Sequence, residues 1–162
     1  MIAYPIGTSG QNLVLDDEVL EHFSRHRQLR FWQREAGGLL FARLAPGAIE
    51  VLVATGPRSS DRRCRYSYRG DRNAEQREIL EYYARDLHFV GSWHTHPERY
   101  PMPSRADRRT MHEAVNKSQH RLNAFVLAIV GQAAFPAGLN ISLFSPNSHH
   151  VLQVVQKQIT AL

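Results

Sequence analysis

The sequence predicts an α/β domain: one unit over residues 1–162, with a mixed β-sheet and helices packed on it. Two observations carry this. Apolar runs of strand length at 12–15, 36–44, 48–55, 89–93, 123–131 and 139–145 alternate with segments whose apolar residues recur at helical spacing. The connections include a hairpin as well as helical crossovers, which implies a sheet of mixed direction. A chain of 162 residues is long enough to bury one core and too short for a second.

In chain order, residues 12–15 (NLVL) read as a short strand. Asp16 or Asp17 then caps a helix to about Arg30, with Val19, Leu20 and Phe23 at helical spacing. His22 and His26, four apart with no acidic third ligand, read as a solvated face. Residues 36–44 and 48–55 form a hairpin around Pro46-Gly47. Gly37 and Gly38 permit close approach of backbone, substrate or a packed helix. Gly56-Pro57 begins an arginine-rich loop, and residues 64–68 (CRYSY) alternate as an edge strand. Asn73-x-x-Gln76 resembles a capping box for a helix ending near Asp86, with Ile79, Leu80, Tyr83 and Leu87 on one face. After the strand around Trp93, a helix from Ser104 turns Met111, Ala114, Val115 and Ser118 inward. Residues 123–131 read as a central strand, 139–145 as another, and 150–156 as a final strand or short helix. His149 and His150 read as surface residues.

Composition excludes several classes. The N-terminus has no basic region followed by an apolar one, and no run approaches the roughly 18 to 20 apolar residues of a membrane span, so the expectation is a soluble cytoplasmic protein with no membrane partner. Cys64 is the only cysteine, which excludes internal disulfides and sulfur-rich zinc sites; between arginines it reads as a strand residue in preference to a nucleophile. The formal charge of +5 admits nucleic acid, but the arginines carry no nucleic-acid-binding motif, and a basic face for an acidic protein is equally consistent.

Chemistry concentrates in residues 90–107, VGSWHTHPERYPMPSRAD. On a strand, residues i and i+2 share a face, so His94 and His96 can bind one ion together, while Trp93 and Thr95 point into the core. Pro97 ends the ladder, Pro101 and Pro103 hold the loop extended, and Asp107 falls one turn into the next helix. Two imidazoles and one carboxylate suit Zn2+, one per chain, and leave a fourth position for water. Ser104-x-x-Asp107 is also an ordinary helix start, with Ser104 as N-cap. Glu98 and Tyr100 lie in the loop beside the ion, where substrate contacts are expected.

The string His94-Thr95-His96-Pro97, then Ser104 and Asp107, resembles the zinc metalloprotease motif of the JAB1/MPN/Mov34 (JAMM) domains, over nearly the whole chain. That motif also requires a glutamate on an earlier strand, and Glu35 in REAGGLLFA is the match. With EAGGLLF and ATGPRSSDRR upstream, the chain is most similar to the bacterial JAB isopeptidases of CBASS anti-phage operons and integrative elements, which accompany E1/E2-like conjugation proteins. Thr95 stands where many eukaryotic members have serine, and Ser92 where this branch is expected to have glutamate; neither belongs to the ligand set.

The resemblance implies that Glu35 is the general base and that Ser104 donates to the oxyanion. It implies a deubiquitinase-like isopeptidase that cuts after the C-terminal tail of a ubiquitin-like modifier or modified conjugate, with a nucleotidyltransferase target in the same operon. A peptidase trimming a sulfur-carrier precursor and a non-catalytic MPN scaffold are the alternatives; a zinc deaminase is excluded because its signature needs a cysteine pair.

Overall fold

The computed structural model describes residues 1–155. Its elements are β1 (Ile2–Pro5), β2 (Asn12–Leu15), α1 (Asp17–His26), β3 (Gly37–Ala45), β4 (Ala48–Ala54), β5 (Arg62–Cys64), β6 (Ser67–Arg69), α2 (Arg72–Tyr83), β7 (His88–Thr95), α3 (Arg105–Lys117), β8 (Phe125–Val130), β9 (Leu139–Phe144) and β10 (His149–Val151). Eight strands form one mixed sheet in the order β1-β2-β4-β3-β7-β8-β9-β10, and β5 and β6 form a separate hairpin. The pairs β2/β4 and β7/β8 are parallel; the others are antiparallel. No helix among the described residues is long and apolar enough to cross a membrane.

Strand β8 is buried at every position because both of its faces are covered, which is why it reads as a continuous apolar run. Val126, Ala128 and Val130 join the larger core with Val19 and Phe23 of α1, Leu13, Leu15, Leu40, Val51 and Trp93. Phe125, Leu127 and Ile129 join Met111 and Val115 of α3 and Phe144 of β9 on the opposite side. Each fully buried Phe or Leu contributes roughly 1.5–3 kcal/mol. The crossover from β7 through α3 to β8 therefore anchors the strand with the two histidines against both cores.

Several local expectations are corrected. Strand β1 was not expected: it is four residues long and ends at Pro5, too short a signal to stand out. Helix α1 stops at His26, with Asp16 as its N-cap. His22 and His26 are half-buried, not solvated, and pack on Trp93 with ring centroids 5.2 and 5.6 Å away; His22 Nε2 meets the Gly56 carbonyl oxygen at 2.8 Å. Residues 64–68 do not extend the main sheet; they form the turn and flanks of the β5–β6 hairpin.

Helix α2 is capped by Asp71, which accepts from the N–H groups of Asn73 and Ala74, so Asn73 is not the cap. Leu80 and Tyr83 are exposed, and the inward face carries Ile79 and Tyr82 together with Glu75 and Glu78. Tyr82 stacks on Phe41 at 4.3 Å, while Glu78 pairs with Arg58. The helix is rotated because it packs against a polar cluster as well as the sheet. Ser118 is the exposed C-cap of α3, not an inward residue. His149 and His150 are exposed on β10, and Gln156, the end of the last expected element, lies outside the described residues.

Candidate metal centre

Strand β7 is flanked by β3 and β8, so its C-terminal end is held on both sides: His94 is in register with Gly37 and Ile129, and the His96 N–H donates to the Val130 carbonyl at 2.9 Å. Alternation sends Trp93 and Thr95 into the core as expected. The Trp93 indole donates to the Thr55 carbonyl at 2.8 Å. Thr95 Oγ1 accepts from the Ala36 N–H at 3.0 Å and donates to Gln28 Oε1 at 2.8 Å. His94 and His96 are left together on the opposite face.

The loop that follows is pinned by buried Pro101 and Pro103. Gln132 N–H and Ala133 N–H donate to the carbonyls of Glu98 and Arg99 at 2.8 and 3.1 Å. This loop delivers the chain to α3, whose start is a capping box: the Asp107 N–H donates to Ser104 Oγ at 3.0 Å, and the Ser104 N–H donates to Asp107 Oδ2 at 2.7 Å. The box does not compete with the metal reading. Asp107 Oδ1 lies 3.2 Å from His94 Nε2, and Oδ2 lies 3.3 Å from His96 Nε2. The cap orients the carboxylate toward the histidines. Ser104 accepts through its oxygen, so its hydroxyl hydrogen is still available to donate.

The two Nε2 atoms are 3.1 Å apart. A tetrahedral ion at roughly 2.0–2.1 Å from each ligand sets ligand atoms roughly 3.3–3.4 Å apart; each imidazole meets a different oxygen of the Asp107 carboxylate at about that spacing, and one ligand atom from each of the three residues lies within 4.8 Å of the others, close enough to share one ion. The other ring nitrogen of His96, Nδ1, is buried without a hydrogen-bond partner; the nearest carboxylate, Glu98 Oε1, is 3.7 Å away, beyond hydrogen-bond distance. Burial alone would raise the Asp107 carboxyl, yet hydrogen bonds from both imidazoles and the Ser104 N–H hold it well below the usual carboxylate range.

Glu35 is 5% exposed and sits two residues before β3, not on a strand. Its main chain is fixed on both sides: its N–H donates to the Cys64 carbonyl at 2.7 Å, and Arg63 Nε donates to its carbonyl at 2.6 Å. Burial pushes its carboxyl up to about 7, against the pull of His96 and with the repulsion of Asp107 and Glu98. Gly37 and Gly38 admit close neighbours: a side chain at Gly38 would strike the Thr55 carbonyl, and one at Gly37 would lie 2.6 Å from the Tyr68 ring. Their neighbours are backbone and a tyrosine, not a helix.

Tyr100 is exposed in the loop between β7 and α3. The Cys64 thiol is exposed and its partner is Ser67 Oγ at 2.9 Å, so no histidine activates it. Two residues of the site were not anticipated. Arg63 and Gln28 each look like ordinary surface residues in sequence; Gln28 is fully buried, accepting from Thr95 and donating to the carbonyls of Gln33 and Arg65 at 3.2 and 2.9 Å. Only the alternation within β5, which turns Arg63 inward, carries a local signal.

The family described as prokaryotic homologs of the JAB domain matches residues 16–141. A protein of Vibrio cholerae serotype O1 named CD-NTase/cGAS isopeptidase is 30% identical over 129 residues, covering 78% of this chain and 80% of its own. One of the same name from Pseudomonas aeruginosa is 32% identical over 135 residues, covering 78% and 85%. Among solved structures, a Desulfitobacterium hafniense protein is similar with a TM-score of 0.58 at 17% identity, over 86% of this chain and 88% of that one, a likeness of fold.

Proposed function

The chain belongs to the family of prokaryotic homologs of the JAB domain, and on that premise we propose that it is a zinc-dependent isopeptidase of anti-phage defence. Its substrate, in this reading, is the bond after the C-terminal tail of a ubiquitin-like modifier or of a CD-NTase conjugated in the manner of one, made by an E1/E2-like protein. The relatives named CD-NTase/cGAS isopeptidase support the isopeptidase class and a CD-NTase-related target. One observation carries the chemistry: two imidazole nitrogens and a carboxylate gathered closely enough to share one ion, with Glu35 buried just before β3, the strand that pairs with β7.

His94, His96 and Asp107 would hold the ion, which when bound supplies Lewis acidity to water and to a carbonyl. Glu35, whose carboxyl burial holds near 7, takes a proton from the attacking water as the new C–O bond forms. The Ser104 hydroxyl donates to the oxygen on which negative charge develops. As the C–N bond breaks, Glu35 passes its proton to the leaving amine, and the tail departs as a carboxylate.

A CD-NTase fused through its tail to an unrelated reporter tests this. Cleavage is expected at the junction, with several reporters, and is expected to stop on chelation. Cleavage that follows the reporter and ignores changes in the tail marks a general peptidase and overturns the reading.

A further inference from the structure

Beside the site lies a surface that the chemistry does not use. Leu29, Phe31 and Trp32 in the segment before β3, and Tyr66 at the turn of the β5–β6 hairpin, are 57%, 77%, 62% and 73% exposed. The Arg65 guanidinium joins the two segments by donating to the carbonyls of Arg30, at 3.3 Å, and Phe31, and it lies over the Tyr66 ring at 5.4 Å. Arg30 lies over Trp32 at 5.4 Å, and the Phe31 and Trp32 rings meet edge to face at 5.1 Å.

This loop is not a loose one. The buried Gln28 amide donates to the carbonyls of Gln33 and Arg65, and Gln33 Oε1 accepts from the Arg30 N–H at 2.7 Å. The ordering entropy of the segment is already spent, and it holds large aromatic rings in water where they add nothing to the core. Rigid exposed aromatics flanked by arginine are the composition of an interface hot spot. Residues 27–34 and 62–69 carry seven arginines and no Asp or Glu, so the rim is uniformly positive. The surface is continuous with the reaction centre, since the Glu35 N–H bonds the Cys64 carbonyl next to Arg65.

We propose that Leu29, Phe31, Trp32 and Tyr66 dock the folded body of the protein whose tail is cut, through an apolar spot with an acidic rim on that body. The proposal rests on the isopeptidase reading for its partner. A nucleic-acid strand fits less well, because Arg27, Arg63 and Arg65 direct N–H groups to main-chain carbonyls where phosphate contacts would need them free. Docking of the body gives affinity that the extended tail alone lacks.

The test compares two substrates with one reporter: an intact CD-NTase fused through its tail, and the tail peptide alone. Phe31→Ala with Trp32→Ala, and separately Arg30→Glu, should raise KM on the intact fusion about tenfold or more at unchanged kcat, and leave the peptide unaffected. Equal effects on both substrates, or on neither, overturn the docking surface. If the wild-type chain cuts neither substrate, the isopeptidase reading fails, and calorimetric titration of Glu35→Gln with the CD-NTase decides the surface alone. Binding weakened by Trp32→Ala supports it; absent or unchanged binding overturns it, as does loss by Trp32→Ala of binding to a single-stranded oligonucleotide in place of the protein.

Discussion

Thr95 donates to Gln28 across 67 residues of sequence, and this 2.8 Å bond joins the strand of the two histidines to the aromatic loop before β3. Both side chains are fully buried, and Thr95 Oγ1 also accepts the Ala36 N–H beside Glu35. One hydroxyl thus ties the strand of His94 and His96 to the segment that carries Glu35.

Thr95→Val keeps the shape and removes the hydroxyl. It strands Gln28 Oε1 and the Ala36 N–H in the core, at about 1–3 kcal/mol for each unsatisfied group. The urea midpoint should fall with an unchanged slope. An unchanged midpoint shows that the bond contributes nothing.

In the proposed mechanism metal and base are separable. The purified chain should carry close to one zinc by elemental analysis, and Asp107→Ala should lose most of it, since a ligand and the end of the capping box go together. Glu35→Gln should retain zinc and fold, yet lose about 100-fold or more in turnover, because an amide cannot carry the proton. Zinc lost from Glu35→Gln would make Glu35 a ligand.

How much of this is legible in sequence depends on range. His94, His96 and Asp107 lie within fourteen positions of one another on one strand–loop–helix unit, so strand alternation and helix capping bring them together without tertiary knowledge. Glu35 is legible only through the family motif, because its approach depends on β3 pairing with β7 and on Cys64 and Arg63. Gln28 is not legible at all: a glutamine in an arginine-rich loop looks solvated. Helix α2 misleads for the same reason, since Glu75 and Glu78 face inward toward Arg58 and Asp61 while Leu80 faces water. Apolar periodicity finds the buried face of a helix only where that face packs on apolar partners.

Asp61 in that polar cluster contributes to acid stability, alongside Asp107. The Asp61 side chain is fully buried. Burial would raise its carboxyl, but the N–H groups of Arg58 and Asp71, the Tyr68 hydroxyl at 2.9 Å and the Arg58 guanidinium hold it below its usual value. A carboxyl depressed in the folded state stabilises above its unfolded pKa of roughly 4, and that stability is lost as pH falls through the folded value. Unfolding free energy should therefore decline with acid below about pH 4. Asp61→Asn should be less stable at neutral pH and show a shallower acid limb; an identical acid limb assigns the loss to other carboxyls.

Ser104 serves the helix and, in the proposed mechanism, the oxyanion, and the two roles use different halves of one hydroxyl. The oxygen accepts from the Asp107 N–H and the hydrogen is free to donate. Ser104→Ala removes both and should cost about 1 kcal/mol of stability. Ser104→Gly removes the hydroxyl while costing only a few tenths of that, because glycine is tolerated at an N-cap, and the main-chain N–H that holds Asp107 Oδ2 stays in place. If the hydroxyl donates in catalysis, both variants should lose kcat about equally, by roughly 100- to 1000-fold, although their stabilities differ. Activity that returns in Ser104→Gly along with helix stability would reduce Ser104 to a cap, and the oxyanion would then need another donor.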